Sequence, residues 1–321
     1  MAAVQQHYDV FNGDADGICA LHQLRLDDPK PAQLITGVKR DIKLLRHLVG
    51  VQNAVLTVFD ISLDSNREYL DDLLETCTIN YYDHHYAGQI PDSGNLISHI
   101  DPGADVCTSM IVDRRLKGKH RGWAVAAAFG DNLHESAAAL AQGFCSEEQL
   151  AVLREIGELM NYNGYGSSME DLHFTPIELY EALKPYEDPL EFYDKSQVFA
   201  VLRDGFHGDM RSARSHDPIH VSLGGRVFRF PCESWARRTA GVFSNEKARE
   251  KPDLAHALIV DNPDGTFLIS VRAPLQNKQG ADILCRAFPT GGGRSAAAGL
   301  NALPPEMLGD FIHSFDEVFA G

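Results

Sequence analysis

Asn12-Gly13-Asp14-Ala15-Asp16-Gly17 begins at the end of the apolar segment HYDVFN, Asp60 closes AVLTVFD, Asp83-His84-His85 closes TINYYD, and Asp131 ends a helix-like stretch. An open α/β sheet places its ligands outside the carboxyl ends of its strands, which is where these groups stand. Carboxylates gathered at one sheet edge repel each other, and the cost is relieved when cations occupy the space between them. Mixed carboxylate and imidazole ligation suits Mn²⁺, with Mg²⁺ or Zn²⁺ less favoured, because imidazole is a poor partner for Mg²⁺ and no thiolate is placed to select zinc. Two ions about 3.5 to 4 Å apart would clamp an in-line displacement at phosphorus. Each piece also has a plainer reading. An Asp-x-Asp before glycine often forms only a turn, and Asp60 or Asp131 could cap a helix. Adjacent imidazoles beside a carboxylate are uncommon as core filling, and the ordered recurrence of such groups favours a site.

The elements that must position these groups are legible. HYDVFN, QLITGV, AVLTVFD and TINYYD are rich in β-branched and aromatic residues and alternate with helix-like segments, the βαβα pattern of a parallel sheet covered by helices. Residues 104 to 202 read as mostly helical. Ser65-x-x-Glu68, Ser146-x-x-Gln149 and Thr175-Pro176-x-Glu178 have the form of capping boxes, the last with proline at the first helical position. Apolar periodicity lapses over RDGFHGDMRSARSH, residues 203 to 216, which predicts a linker and a boundary there. Beyond it, two strands are expected around Gly224-Gly225 and two more around the NPDG turn, with a helix over residues 233 to 250 between them. A helix should follow the glycine run at 291 to 293, and a last one should lie near 304 to 318. The expectation is an α/β chain of two domains, 1–204 with a parallel sheet and helices on both faces, and 205–321, smaller, with a mixed sheet.

The 321 residues carry a net charge of −16, which argues against a protein that holds long nucleic acid along a basic track. Residues 1 to 202 hold 15 Lys and Arg against 31 Asp and Glu, whereas residues 203 to 321 hold 14 of each. A carboxylate-rich half suits hard cations, and the more balanced half suits an anionic substrate. The opening MAAVQQH lacks the character of a secretory signal, and no apolar run approaches the length of a membrane span, so a cytoplasmic location is expected. Cys19, Cys77, Cys107, Cys145, Cys232 and Cys285 show no CxxC spacing and read as reduced core residues.

With NGDADG, Asp60, Asp83-His84-His85, Asp131 and GGGRSAAAG in order, nearly the whole chain resembles the DHH phosphoesterase superfamily with its C-terminal DHHA1 domain. That group includes RecJ-like nucleases, nanoRNases and dinucleotide phosphodiesterases. The resemblance implies two Mn²⁺ ions. Asp60 would bridge both, Asp14 would bind the first, and Asp16, His84 and Asp131 would complete the second; Asn12 and Asp83 are further candidate ligands. A bridging water would attack phosphorus, with His85 facing the phosphate, so that Asp16, Asp60 and His85 form the catalytic set. Arg272 matches the family's strand arginine that touches substrate phosphate. Gly291, Gly292, Gly293, Arg294 and Ser295 would bind substrate through backbone N–H groups at a helix start and a guanidinium suited to phosphate or guanine.

Two departures stand out. The position four residues before Asp14, a histidine in many relatives, is Val10, and Asn12 replaces an aspartate of RecJ-like members. The glycine run ends in Arg294 where the family usually has histidine. The implied activity is hydrolysis of a small phosphorylated nucleotide: a linear dinucleotide such as pGpG, very short RNA, or a nucleotide bisphosphate. Neither long nucleic acid nor a membrane is an expected partner, and a homodimer is compatible with the chain. Pyrophosphate or polyphosphate hydrolysis, and a catalytically weakened nucleotide sensor, are the alternatives. The basic run Arg114 to Arg121 reads as a solvated helix C-terminus, His99 and Asp101 as either packing or ligand-orienting groups, and Phe228, Phe230 and Trp235 as core.

Overall fold

A computed structural model describes residues 5–319, so the first residues of the MAAVQQH segment lie outside it. The chain divides into two compact units, Met1–Asp204 and Gly205–Gly321. The first is built on strands β1 (Gln6–Asn12), β2 (Gln33–Gly37), β3 (Ala54–Phe59), β4 (Thr78–Asp83) and β5 (Leu96–Ile100), with helices α1 (Ala15–Asp27) and α2 (Arg67–Leu74) interspersed. All the strands are parallel, in the order β2-β1-β3-β4-β5. The connection after β1 runs to β2 on one side and the connection after β3 runs to β4 on the other, which makes the β1/β3 border a topological switch point, the usual ligand position in an open parallel sheet.

Burial on both faces explains the near-continuous apolar runs of the central strands. Val10, Phe11, Leu56, Val58 and Phe59 are all fully buried. One face packs on α2 and the single-turn helices near it, through Leu44, Leu45, Leu48, Leu70 and Leu73. The other face lies under α1 and the helices that follow β5. A buried ion pair anchors α1 to β1, with Arg25 Nε and Nη2 reaching the two Asp9 carboxylate oxygens at 2.7 and 2.5 Å.

Seven helices follow β5: α3 (Thr108–Arg115), α4 (Arg121–Gly130), α5 (His134–Ala141), α6 (Glu147–Gly164), α7 (Pro176–Leu183), α8 (Pro189–Lys195) and α9 (Gln197–Arg214), the last of which runs through the boundary. The capping boxes at Ser146 and Thr175 are present with both reciprocal hydrogen bonds. The one expected at Ser65 is not; Asn66 takes the cap position of α2 with no side-chain cap bond, because a single 3₁₀ turn precedes the helix. Helices α4 and α6 cross closely at Gly157, where a Cβ would lie 1.9 Å from the Ala126 carbonyl oxygen. The segment expected as a linker is the C-terminal half of α9. Its buried residues Phe199, Leu202, Met210 and Ala213 form a helical stripe that Gly205 and Gly208 do not interrupt.

The second unit contains β6 (His220–Val221), β7 (Gly225–Phe230), α10 (Ser234–Glu250), β8 (Ala255–Asp261), β9 (Phe267–Arg272), α11 (Ala281–Arg286), β10 (Gly291–Arg294), β11 (Ala297–Leu303) and α12 (Leu308–Phe319). Its six-stranded mixed sheet has the order β10-β11-β9-β8-β7-β6, with only β7 and β8 parallel. Phe228 and Phe230 are core residues, and Trp235 packs against them, as the sequence indicated. The glycine run corrects the sequence reading, because no helix follows it. Gly291–Arg294 is a strand that turns through Ser295 and Ala296 into β11. Of the six cysteines, Cys19, Cys77, Cys107 and Cys285 are buried, Cys145 is half-buried, and Cys232 is exposed, contrary to the core reading for that residue. Among the described residues no helix is long and apolar enough to cross a membrane.

Candidate metal centre

Every cluster named from the sequence lies at the carboxyl edge of the parallel sheet or on a helix delivered to it. Asp14 ends the turn after β1 as the N-cap of α1, its Oδ1 accepting from the backbone N–H groups of Asp16 (3.0 Å) and Gly17 (3.1 Å). Asp16, in the first turn of that helix, grips the start of α3. The N–H groups of Thr108 and Ser109 donate to its Oδ2 and Oδ1, each at 2.7 Å. These are charge-assisted bonds between a carboxylate and a helix N-terminus, strong enough to set the orientation of the side chain.

Asp60 follows β3 with φ at 58°, a left-handed conformation uncommon for a residue with a side chain. Thr108 Oγ1 donates to its Oδ1 at 3.0 Å. Burial, followed by the charges of Asp16, Asp14, Asp131 and Asp83, pushes the Asp60 carboxyl well above the ordinary carboxylate range. Asp131, the C-cap of α4, is also raised, by burial first; Lys39 opposes the shift, and Asp16 and Asp14 add to it.

The two histidines after β4 are oriented differently. His84 Nδ1 lies 2.8 Å from the Val106 carbonyl, which can only accept, so Nδ1 carries a proton and Nε2 faces inward. Nε2 is 3.4 Å from Asp60 Oδ1 and 3.4 Å from Asp131 Oδ2. This convergence of one imidazole nitrogen and two carboxylate oxygens is a donor set that fits a divalent ion. Ligand atoms of Asp16, His84 and Asp131, and of Asp60, His84 and His85, lie within 4.8 Å of one another in each group. His85 Nδ1 is 2.7 Å from Asp83 Oδ1. Burial disfavours the His85 imidazolium, but the Asp83 hydrogen bond and the charges of Asp83, Asp131 and Asp16 outweigh it and raise the His85 pKa.

The structure thus brings together Asp16, Asp60, His84, His85 and Asp131. Asp83 is fully buried behind His85, which it orients. Asn12 is close by: its amide donates to the Lys39 carbonyl at 3.4 Å, and its buried Oδ1 finds no hydrogen-bond partner among the described residues. Asp14 is present, but its Oδ1 is used in capping and its Oδ2 binds Lys39 Nζ at 2.5 Å. In the second unit, Arg272 Nε donates to Asn245 Oδ1 at 2.8 Å, Gly291 and Gly292 are partly buried in β10, and Gly293, Arg294 and Ser295 are exposed. His99 stacks on Tyr82 and Asp101 pairs with Arg114. Lys119 pairs with Asp27 in the expected solvated manner, but the far end of the basic run departs from that reading: Arg121 opens α4 and pairs with the buried Asp113, and His120 is buried.

Sequence reasoning missed Lys39, Thr108, Ser109 and Asn161. The rule that ligands follow strand ends would have flagged Lys39, two residues beyond β2. The two α3 residues have no local signal, since their role depends on where that helix begins in space.

No family model and no curated protein matches the chain. Solved structures do. The exonuclease RecJ bound to manganese is 14% identical over 98% of this chain and 89% of that one, with a TM-score of 0.61. The pGpG-specific phosphodiesterase PggH from Vibrio cholerae is 9% identical over 98% and 99%, with a TM-score of 0.56. RecJ in complex with Mn²⁺ from Thermus thermophilus is 13% identical over 98% of this chain and 52% of that one, at 0.55. From the parallel sheet of the first unit to the mixed sheet of the second, the chain has the fold of the DHH/DHHA1 phosphoesterases.

Proposed function

We propose that this protein is a divalent-metal-dependent phosphoesterase that hydrolyses small nucleotides such as linear dinucleotides, very short RNA or a nucleotide bisphosphate. The observation that carries the reading is His84 Nε2 aimed between Asp60 and Asp131 beside Asp16. Asp16, Asp60, His84 and Asp131 hold the ion, for which Mn²⁺ suits the imidazole and carboxylate donors. When bound, the ion supplies a Lewis-acidic charge that acidifies water and draws charge from phosphoryl oxygens.

The protein's own groups do the rest. Thr108 and Ser109 keep the Asp16 carboxylate in place, and Thr108 Oγ1 steadies Asp60. Asp83 holds the His85 proton on Nδ1 and favours the imidazolium, which stabilises charge developing on a phosphoryl oxygen or protonates the leaving oxygen. Arg272 and Arg294, with the backbone of Gly291, Gly292 and Gly293 and the hydroxyl of Ser295, bind the phosphate or base of the substrate. The charge of −16 favours a short substrate over a long polymer.

Metal-stripped protein offered pGpG, pApA, a short RNA, 3′-phosphoadenosine 5′-phosphate and pyrophosphate, with Mn²⁺ or Mg²⁺ restored, tests this reading. Mn²⁺-dependent release of mononucleotide or phosphate from a nucleotide supports it, and turnover of pyrophosphate alone replaces it with a pyrophosphatase. A second reading, a nucleotide sensor of weakened catalysis, is favoured by the uncharged Asn12 and by the engagement of Asp14 with Lys39. Tight nucleotide binding with no turnover at saturating Mn²⁺ establishes it.

A further inference from the structure

Lys39 is a basic side chain that the site description leaves without a task, and its surroundings are built. The main chain is held on both sides, its N–H donating to the Gly164 carbonyl at 3.1 Å and its carbonyl accepting from Asn12 at 3.4 Å. Its ammonium has three hydrogens and meets three acceptors: Asp14 Oδ2 at 2.5 Å, Asn161 Oδ1 at 2.9 Å and Asp131 Oδ1 at 3.4 Å. The Tyr165 ring, with its centroid 5.6 Å from Nζ, lies against the same charge. Asn161 is itself oriented by its amide, which donates to the Tyr165 hydroxyl at 3.1 Å.

Asp131 therefore has one oxygen on the ammonium and the other toward His84, 3.4 Å from Nε2. A carboxylate that spans two adjacent cations has this form, and here one of the two is covalently part of the chain. Asp14 lies outside both groups of converging ligand atoms: its Oδ1 caps α1 and its Oδ2 holds Lys39.

We propose that the centre binds a single divalent ion, at Asp16, Asp60, His84 and Asp131, and that the Lys39 ammonium is a built-in cation occupying the place of a second. This rests on the phosphoesterase reading and deepens it. Four carboxylates (Asp14, Asp16, Asp60 and Asp131) face one dication and one ammonium, and a second dication would have to displace the ammonium or sit against a like charge. The ammonium can neutralise charge and donate hydrogen bonds but cannot acidify water, so activation of water falls to the single ion.

The test is titration of metal-stripped protein with Mn²⁺, read by calorimetry for stoichiometry and by electron paramagnetic resonance for spacing. The expected wild-type result is one ion per chain with the six-line spectrum of an isolated Mn²⁺. Lys39→Gln and Lys39→Ala should accept a second ion, with a spectrum broadened by coupling, while Lys39→Arg should stay at one. Two coupled ions in the wild type overturn the inference and leave the metal-centre reading standing. No bound ion overturns both. One ion in folded Lys39→Gln and Lys39→Ala overturns the role given to the ammonium. Should neither variant fold, the wild-type count and spectrum decide whether one place or two is open to metal.

Discussion

Arg272 and Arg294 share a register partner: Ala297 of β11 is paired with Arg272 of β9 on one side and with Arg294 of β10 on the other. Directly paired residues point to the same face of a sheet, so the two guanidinium groups arise from one row, two strand spacings or about 10 Å apart at the backbone. A linear dinucleotide presents charged and hydrogen-bonding groups over a comparable span. Arg272→Ala and Arg294→Ala should each raise KM for such a substrate about 10- to 100-fold, the loss of one or two charge-assisted hydrogen bonds. Turnover of a small chromogenic diester should change less. Equal losses on both substrates would contradict a recognition role.

Metal binding should appear as stability. Asp60 has a folded pKa raised well above its unfolded value, first by burial and then by Asp16. Its carboxyl therefore contributes stability at low pH, and that contribution is lost as pH rises through the folded pKa. At neutral pH, Mn²⁺ at about a hundred times its Kd should stabilise the wild type by about 2.7 kcal/mol. In Asp60→Asn the response should vanish, while the metal-free protein becomes no less stable. Thermal unfolding with and without Mn²⁺ measures both, and an undiminished Mn²⁺ response in Asp60→Asn would remove that residue from the ligand set.

Acid should weaken the first unit through a residue far from catalysis. His22 is buried against Trp123 and Tyr180 with Nε2 on the Tyr186 carbonyl, and burial lowers its pKa from 6.5 to about 4. Between pH 6.5 and 4 the unfolded chain binds the extra proton, so stability is complete above 6.5 and falls as pH drops toward 4. The loss is about 3 kcal/mol over that interval. Urea midpoints at pH 7 and 4.5 should converge in His22→Gln relative to the wild type; an unaltered pH slope would rule His22 out as the source.

The crossing of α4 and α6 controls where Asp131 stands. Gly157→Ala places a methyl group 1.9 Å from the Ala126 carbonyl oxygen, which the helices can relieve only by moving apart. A cost of about 1 to 3 kcal/mol follows from overpacking. Because Asp131 caps α4, Mn²⁺ affinity should fall in the same variant. Calorimetric titration beside urea unfolding tests the link, and lost stability with unchanged affinity would sever it.

Much of the fold and the cluster was legible because the relevant physics is local. Strands β1, β3 and β4 are apolar runs that stop at charged residues, and a parallel sheet brings such stops to one edge. Two segments were misread where tertiary structure overrides composition. The alanines at 296 to 298 favour helix, but pairing of β11 with both β9 and β10 holds them as strand, and Gly291 admits the Cys285 carbonyl where a Cβ would lie 1.7 Å away. The glycines and arginines of residues 203 to 214 resemble a linker, yet Met210 and Ala213 continue a buried helical stripe. Lys39 was passed over because a lysine after a strand ordinarily marks solvent; its acceptors Asp14, Asp131 and Asn161 come from distant parts of the chain.

The left-handed backbone of Asp60 has a bearing on how this sequence can drift over generations. Glycine is the residue that such a conformation accepts with least strain, and the carboxylate there is held among like charges, so replacement would relieve two costs at once. Selection for folding alone would therefore erode the aspartate. A descendant chain that keeps an acid at this position testifies to a working centre, and one that has gone to glycine has exchanged its chemistry for a more stable scaffold.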